Sequence, residues 1–309
     1  MTDEKIFYFV GVTTNQSKIN QLFPLWMKVL GREDVVIRGI DHPLNHTPEA
    51  YRRSVDHIKT APNVLGALVT AHKLNMLAAS HDLFDFLDPL AEEIDEISCI
   101  SKPYGKLFGF AKDPITAGKA LHDIVGNGYF GKTGGEICCF GAGGAAVALL
   151  RYLMQQADSN DKPKQFTAVD ILPERLNHMN IVSQKSHHGM VVNLVHSHSA
   201  AENDKILDSL PENSIVINAT GLGKDRPGSP LTETAVFPKN GIVWEFNYRG
   251  ERPFYQLALS QKDTQNLQIE DGWDYFIHGW SEVIAEVLDF DLTDALYQEL
   301  KTVANTIRA

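Results

Sequence analysis

The chain has 309 residues, a formal net charge of −11 and three cysteines. That length allows two domains with cores of their own. The acidic balance argues against nucleic acid or an anionic membrane as a partner, the cysteines are too few for a disulfide framework, and no apolar run approaches the roughly 20 residues of a membrane span. The first residues, MTDEKIFYFVGV, run from polar into strand-like and lack a signal peptide's basic and small-residue features, so a reducing cytoplasm is expected. The histidines are scattered; His187-His188 and His196-Ser197-His198 lack a metal-ligand spacing, and no metal is expected.

Strand-like and helix-like segments alternate, which predicts an α/β protein with parallel sheets. Ile6 to Val10 reads as a first strand. Ile19, Leu22, Phe23, Trp26, Val29 and Leu30 then recur at helical spacing. Val35 to Ile40 is a second strand, and Thr47-Pro48-Glu49 a helix start. Leu65 to Val69 is a third strand. Helical segments are expected through Ala79 and from about Leu83 to Ile94. Short strands follow at Ile97 to Ile100 and Leu107 to Phe110, then a helix from Asp113-Pro114 to about Val125.

Glu136 to Leu153, EICCFGAGGAAVALLRYL, is a buried strand, a glycine turn and an apolar helix. Gly141, Gly143 and Gly144 let the backbone turn tightly and approach a ligand. The helix from about Ala145 directs its N-terminal amides at whatever lies over the turn, and that end favours a phosphate. This layout predicts a dinucleotide pyrophosphate held by Gly141, Ala142, Gly143, Gly144 and Ala145. A second strand, Phe166 to Asp170, ends in an acid 29 residues after Gly141, against the roughly 20 usual for the ribose-binding carboxylate, a polar loop accounting for most of the excess. Asp170 would bind the ribose and repel a 2′-phosphate, so NAD is expected over NADP, although Arg175 could tolerate the phosphate. Strands at about Val191 to Val195, Ile215 to Asn218 and Ile242 to Phe246 fit a doubly wound sheet, and Ser281 to Ile307 reads as two amphipathic helices folding back onto the first domain.

Two residues stand out for chemistry. Lys73 follows the strand in GALVTAHK and Asp113 the strand in LFGFAKD, both at carboxyl ends of strands, where open α/β sheets build sites. A lysine beside an aspartate in the cleft between two domains can shuttle a proton. Spacing alone favours a solvated helix lysine at Lys73 and a helix cap at Asp113.

Across nearly its whole length the sequence resembles the shikimate/quinate dehydrogenase family. The family pattern G-x-P-I-x-H-S-x-S-P corresponds to GVTTNQSKIN (Gly11 to Asn20), N-V-T-x-P-x-K to LVTAHK (Leu68 to Lys73), I-G-A-V-N-T to ISCISK (Ile97 to Lys102), and G-x-N-T-D to GFAKD (Gly109 to Asp113). GAGGAA matches the cofactor turn, NATGLG (Asn218 to Gly223) the motif N-A-T-x-x-G, and EFNY (Glu245 to Tyr248) the late D-x-x-Y. The resemblance implies a substrate domain built from both chain ends, here 1–114 with the helices of 275–309, around a Rossmann NAD(P)-binding domain at 115–274. It implies Lys73 and Asp113 as the catalytic pair and Asn218, Thr220 and Gly221 as further cofactor contacts. Ser17, Thr70, Ser101, Tyr248 and His278 would bind substrate.

The departures fall on the substrate side. Ile19 stands where the family has a second carboxylate-binding serine, Ser101 and Ala111 replace asparagines, Lys112 replaces a threonine, and His278 lies beside the position of a missing substrate-binding glutamine. Unpaired polar groups in a buried site cost about 1–3 kcal/mol each, so the expected substrate is a related small polyol or hydroxy acid, with shikimate or quinate among the candidates. The chain is expected to act as a monomer or homodimer in a cytoplasmic pathway of the aromatic amino acid type. The alternative is a non-catalytic NAD- or metabolite-binding regulator on the same fold.

Overall fold

The computed structural model describes residues 4–187, 189–224 and 226–308; His188 of the histidine pair lies outside them. The chain divides into two compact units, one of residues 1–112 with 279–309 and one of 113–278. These boundaries fall at 112/113 and 278/279, against 114/115 and 274/275 expected.

The first unit is built on β1 (Lys5–Gly11), α1 (Ile19–Val29), β2 (Val35–Asp41), α2 (Pro48–Thr60), β3 (Val64–Val69), α3 (Lys73–Ser80), β4 (Phe86–Leu87), α4 (Pro89–Ile94), β5 (Cys99–Ser101) and β6 (Phe108–Phe110). Its sheet has the order β2-β1-β3-β5-β6-β4. The first three strands are parallel, and β5 runs antiparallel to both β3 and β6. The helix expected over Leu83 to Ile94 is interrupted. Phe86 enters the sheet edge as β4, its ring 5.2 Å from that of Phe108, and α4 starts only at Pro89, whose fixed φ suits a first helical turn.

The second unit comprises α5 (Asp113–Val125), α6 (Tyr129–Thr133), β7 (Ile137–Phe140), α7 (Gly144–Gln155), β8 (Gln165–Asp170), α8 (Pro173–Ser183), β9 (Val191–His196), α9 (Ala200–Asp208), β10 (Ile215–Asn218), β11 (Ile242–Glu245), α10 (Pro253–Gln265) and β12 (Gln268–Glu270). The sheet is parallel throughout, in the order β12-β11-β10-β7-β8-β9. Counted along the unit this is 6-5-4-1-2-3, the doubly wound Rossmann order, whose direction reverses between β7 and β10. Strand β7 is buried at every residue because it is central and covered on both faces, which is why its sequence is an uninterrupted apolar run. Helix α7 packs against α5 closely enough that a Cβ on Gly118 would sit 2.1 Å from the Tyr152 ring, so glycine is required there.

Helix α11 (Trp273–Leu288) carries the chain from the second unit back into the first, and α12 (Asp294–Asn305) ends it. The helix starts eight residues before the expected Ser281, because Asp271 accepts the Trp273 amide at 3.0 Å and caps it. In the first unit Trp280 lies edge-on to Phe9 at 4.9 Å, and α12 packs on α1, where the buried Trp26 indole donates to the Leu300 carbonyl at 2.8 Å. Among the described residues, no helix is long and apolar enough to cross a membrane.

Candidate functional site

In the second unit the site is the switch point of the sheet. Gly141 leaves β7 at φ +101, and a Cβ on it would meet the backbone of Ala219 at 2.7 Å and of Thr220 at 2.9 Å. The glycine turn and the loop after β10 therefore touch, and only glycine permits the approach. Gly143 caps α7 with ordinary extended backbone, and a Cβ there would meet nothing within 4 Å. Gly144 is the first helical residue, followed by Ala145, and the buried Ala142 amide donates to Asp170 Oδ2 at 2.8 Å. An open space over a helix N-terminus is what a dinucleotide pyrophosphate requires, so these residues fit the cofactor.

The loop after β10 is held by a buried polar network. Thr220 donates through its amide and hydroxyl to Asn218 Oδ1 at 3.2 and 2.7 Å, and Leu222 donates its amide to the Thr220 hydroxyl at 3.0 Å. Gly221 sits between them at φ +76. Asn218 Nδ2 donates to Glu245 Oε2 at 2.8 Å, and Asn247 donates its amide and its Nδ2 to Glu245 Oε1 at 2.9 and 2.7 Å. Burial drives the Glu245 carboxyl up to about 7, against the pull of these donors. The sequence signalled NATGLG and EFNY as separate motifs; the structure joins them through Asn218 and Glu245. Burial also pushes the Cys138 thiol up to about 12 and Cys139 well above its usual range, so neither is a nucleophile near neutral pH.

Asp170 closes the cleft of about 190 Å³ that Gly141, Arg175, Ser197, Asn203 and Thr220 also line. It is 6% exposed, and both carboxylate oxygens are engaged, Oδ2 by Ala142 and Oδ1 by the Leu172 amide at 2.9 Å. Arg175, largely exposed, brings a guanidinium nitrogen to 3.7 Å from Oδ2. The charge argument for NAD over NADP is thereby weakened, because a cation stands beside the acid expected to repel a 2′-phosphate.

Two substrate-side expectations fall in this unit. Tyr248 packs tilted against Phe276 at 4.6 Å and edge-on to Trp273 at 5.6 Å between ring centroids. The buried His278 places Nε2 2.9 Å from Asp123 Oδ2 on α5, so that nitrogen is engaged by a carboxylate of its own unit. Asp113, the first residue of α5, puts a carboxylate in the first turn and accepts the Thr116 hydroxyl on its backbone oxygen at 3.1 Å.

In the first unit the candidate residues gather at the carboxyl ends of β1 and β3. Thr70 donates its amide to the Val10 carbonyl at 2.9 Å and its hydroxyl at 3.1 Å. Ser17 follows a short 3₁₀ turn, its hydroxyl accepting the Ile19 amide at 3.4 Å. Lys73 opens α3, and burial lowers its pKa, with the opposing influence of Glu96. The chain thus divides the expected pair, Lys73 in the first unit and Asp113 at the start of the second.

Ser101 closes β5. It pairs with Gly66, well back along β3, whereas Val69 donates its amide to the Ser98 carbonyl at 2.9 Å. Ser98, 2% exposed and accepting the Lys112 amide at 2.8 Å, is the serine level with the end of β3. A three-residue slip in an antiparallel strand separates the two, and no local sequence signal fixes that register.

Sequence reasoning also missed a histidine cluster beside Lys73. The buried His72 caps α3; its Nε2 lies 3.2 Å from the Gly11 carbonyl and its Nδ1 3.0 Å from the Tyr51 hydroxyl. A carbonyl only accepts, so Nε2 carries a hydrogen, and the Tyr51 oxygen beside Nδ1 also takes the His46 amide at 3.1 Å. Burial is the largest influence on His72 and lowers its pKa, against backbone hydrogen bonds to Gly11 and His42 that raise it. His42 joins the cluster at 3.1 Å from His46 and 2.9 Å from Ser54. His42, His46 and Tyr51 lie close in sequence between β2 and the start of α2, and the fold brings His72, from beyond β3, against them.

No family model matches the chain. Among curated proteins, the shikimate dehydrogenase (NADP(+)) of Streptococcus gordonii is 29% identical over 178 residues, 57% of this chain and 58% of that protein. The shikimate dehydrogenase (NADP(+)) of Bacillus cereus is 25% identical over 213 residues, 68% of each. The chain thus matches about three fifths to two thirds of the length of these relatives. Among solved structures, quinate dehydrogenase from Corynebacterium glutamicum in complex with NAD superposes with a TM-score of 0.74 at 15% identity, covering 99% of this chain and 100% of the other. Shikimate 5-dehydrogenase from Thermus thermophilus in complex with NADP(H) and shikimate gives 0.68 at 20% identity, covering 97% and 99%. The curated relatives carry NADP(+) in their names, so the expected preference for NAD finds no support among them. By sequence the chain is similar to shikimate dehydrogenases over part of their length, and its fold is that of the quinate and shikimate dehydrogenase structures.

Proposed function

We propose that the chain is an NAD(P)-dependent oxidoreductase of the shikimate/quinate dehydrogenase type, acting on a ring hydroxyl of a small hydroxylated carboxylate. The observation that carries this reading is the glycine turn at the switch point, where Gly141 meets Ala219 and Thr220 while Gly143 leaves open space over α7. Gly141, Ala142, Gly143, Gly144 and Ala145 hold the pyrophosphate, and Asp170 with Arg175 meets the adenosine ribose. Asn218, Thr220 and Gly221 form the other wall. The bound dinucleotide supplies or accepts the hydride. Lys73 takes the hydroxyl proton on Nζ during oxidation and returns it during reduction, with Asp113 as its partner. A lysine kept below its usual pKa by burial is suited to that role near neutral pH. Thr70, Ser17 and Ser98 offer hydroxyls at the carboxyl ends of the strands for the substrate's oxygens.

The test is Lys73→Ala. Turnover should fall at least a hundredfold while NAD(P) affinity stays within about twofold of wild type; undiminished turnover rejects the assignment. Dinucleotide binding without turnover on any of a panel of cyclic polyols and hydroxy acids would select the alternative, a non-catalytic NAD- or metabolite-binding regulator.

A further inference from the structure

Glu96 is a buried carboxylate that the proposed reaction does not use. It is 2% exposed, and its Oε1 has no hydrogen-bond partner. A buried carboxylate without a full set of donors is costly, and such groups concentrate at functional sites. Its position follows from the chain. Helix α4 ends at Asp95, which adopts the left-handed conformation at φ +56 and reverses the backbone. The Glu96 amide returns to the Ala91 carbonyl at 3.2 Å, and the side chain is thrown inward. The next residues enter β5, which pairs with β3 so that Leu68 faces Cys99. The last link between the two segments is the Val69 amide on the Ser98 carbonyl at 2.9 Å, with Glu96 two residues before Ser98 on one side and Lys73 four residues after Val69 on the other.

We propose that Glu96 is a positioning residue for Lys73: an enclosed carboxylate, delivered by the α4–β5 turn beside the end of β3, that holds the lysine's positive charge in place at the start of α3. Lys73 and Glu96 act on each other in the expected senses, the carboxylate favouring the ammonium and the ammonium favouring the carboxylate, each against its own burial. The consequence for mechanism rests on the reading of Lys73 as the proton acceptor: Glu96 sets the pH at which that amine is free to act.

The experiment reads the amine directly, in the resting full chain. Trace acetylation with acetic anhydride across a pH series, followed by peptide mass spectrometry, gives the titration midpoint of Lys73 without substrate or dinucleotide. It is therefore indifferent to whether the proposed reaction is right. Glu96→Gln keeps the shape and removes the charge. It should lower the midpoint by about one pH unit or more, the size of an opposite charge nearby, and Glu96→Ala should do the same. Glu96→Asp should keep the midpoint near that of wild type. Because Gln relieves a buried charge, E96Q should melt no lower than wild type. An unchanged midpoint in E96Q and E96A overturns the proposal, and a lowered melting temperature with that unchanged midpoint shows a merely structural role.

Discussion

Gly143 and Gly141 stand two residues apart in one turn, and the structure separates what each does. Gly143 has φ −78 and ψ −176, backbone that any residue adopts, and a methyl added there meets no protein atom within 4 Å. Gly143→Ala should cost the fold no more than about 1 kcal/mol, mostly from alanine's poorer capping. The methyl would stand in the space a pyrophosphate needs above the α7 amides, so NAD(P) affinity should fall at least tenfold, about 1.4 kcal/mol. Gly141→Ala is the opposite case. Its φ of +101 is unfavourable for alanine, and its Cβ would lie 2.7 Å from the carbonyl carbon and oxygen of Ala219, which are backbone atoms and yield only if the loop shifts. That variant should lose about 2–4 kcal/mol of stability, or roughly 5–15 °C in melting temperature. Dinucleotide titration by calorimetry beside thermal melts reads both effects. If Gly143→Ala binds NAD(P) as tightly as the wild type, the pyrophosphate is not held at this turn and the cofactor assignment fails.

Arg175→Ala should weaken NADP binding about tenfold while changing NAD little, because the guanidinium near Asp170 is the cation available to a 2′-phosphate; equal losses for both would remove it from phosphate selection. Trp26→Phe deletes the hydrogen bond to Leu300 and part of a fully buried ring, and should cost about 1–3 kcal/mol in denaturant unfolding; no measurable loss would contradict the packing of α12 on α1. Glu245 has its folded pKa raised to about 7 from the model-compound 4.5, so its contribution to stability is fully present below pH 4.5 and lost as pH rises through 7. The loss should be about 3 kcal/mol, and in Glu245→Gln this part of the pH slope should vanish; an identical slope in both proteins would refute the burial argument.

The legible parts of this fold are those whose signal is local. ICCFGAGG marked β7 and its turn because a central parallel strand is apolar throughout and the turn needs glycine at Gly141. Thr47-Pro48 and Asp113-Pro114 marked helix starts because proline suits the first turn. What the sequence concealed depends on pairing. Phe86 and Leu87 form a two-residue strand by matching Phe108 and Gly109, which a helical window cannot foresee. Ser101 and Ser98 are indistinguishable by spacing, and the β3–β5 register alone puts Ser98 at the strand end. Glu96 follows Glu92, Glu93 and Asp95 in the sequence, and the left-handed Asp95 precedes its burial. His42, His46 and Tyr51 come from one stretch of chain and His72 from another, joined only in the fold.

The central claim is that this chain moves a hydride between a nicotinamide dinucleotide and a hydroxylated carboxylate. The most direct measurement is the absorbance of reduced nicotinamide when the protein is mixed with NAD or NADP and, in turn, shikimate, quinate and related cyclic hydroxy acids. The account predicts reduction of the dinucleotide by at least one of these compounds, abolished by Lys73→Ala. No reduction with any of them, in a protein that binds the dinucleotide and is folded, would contradict it.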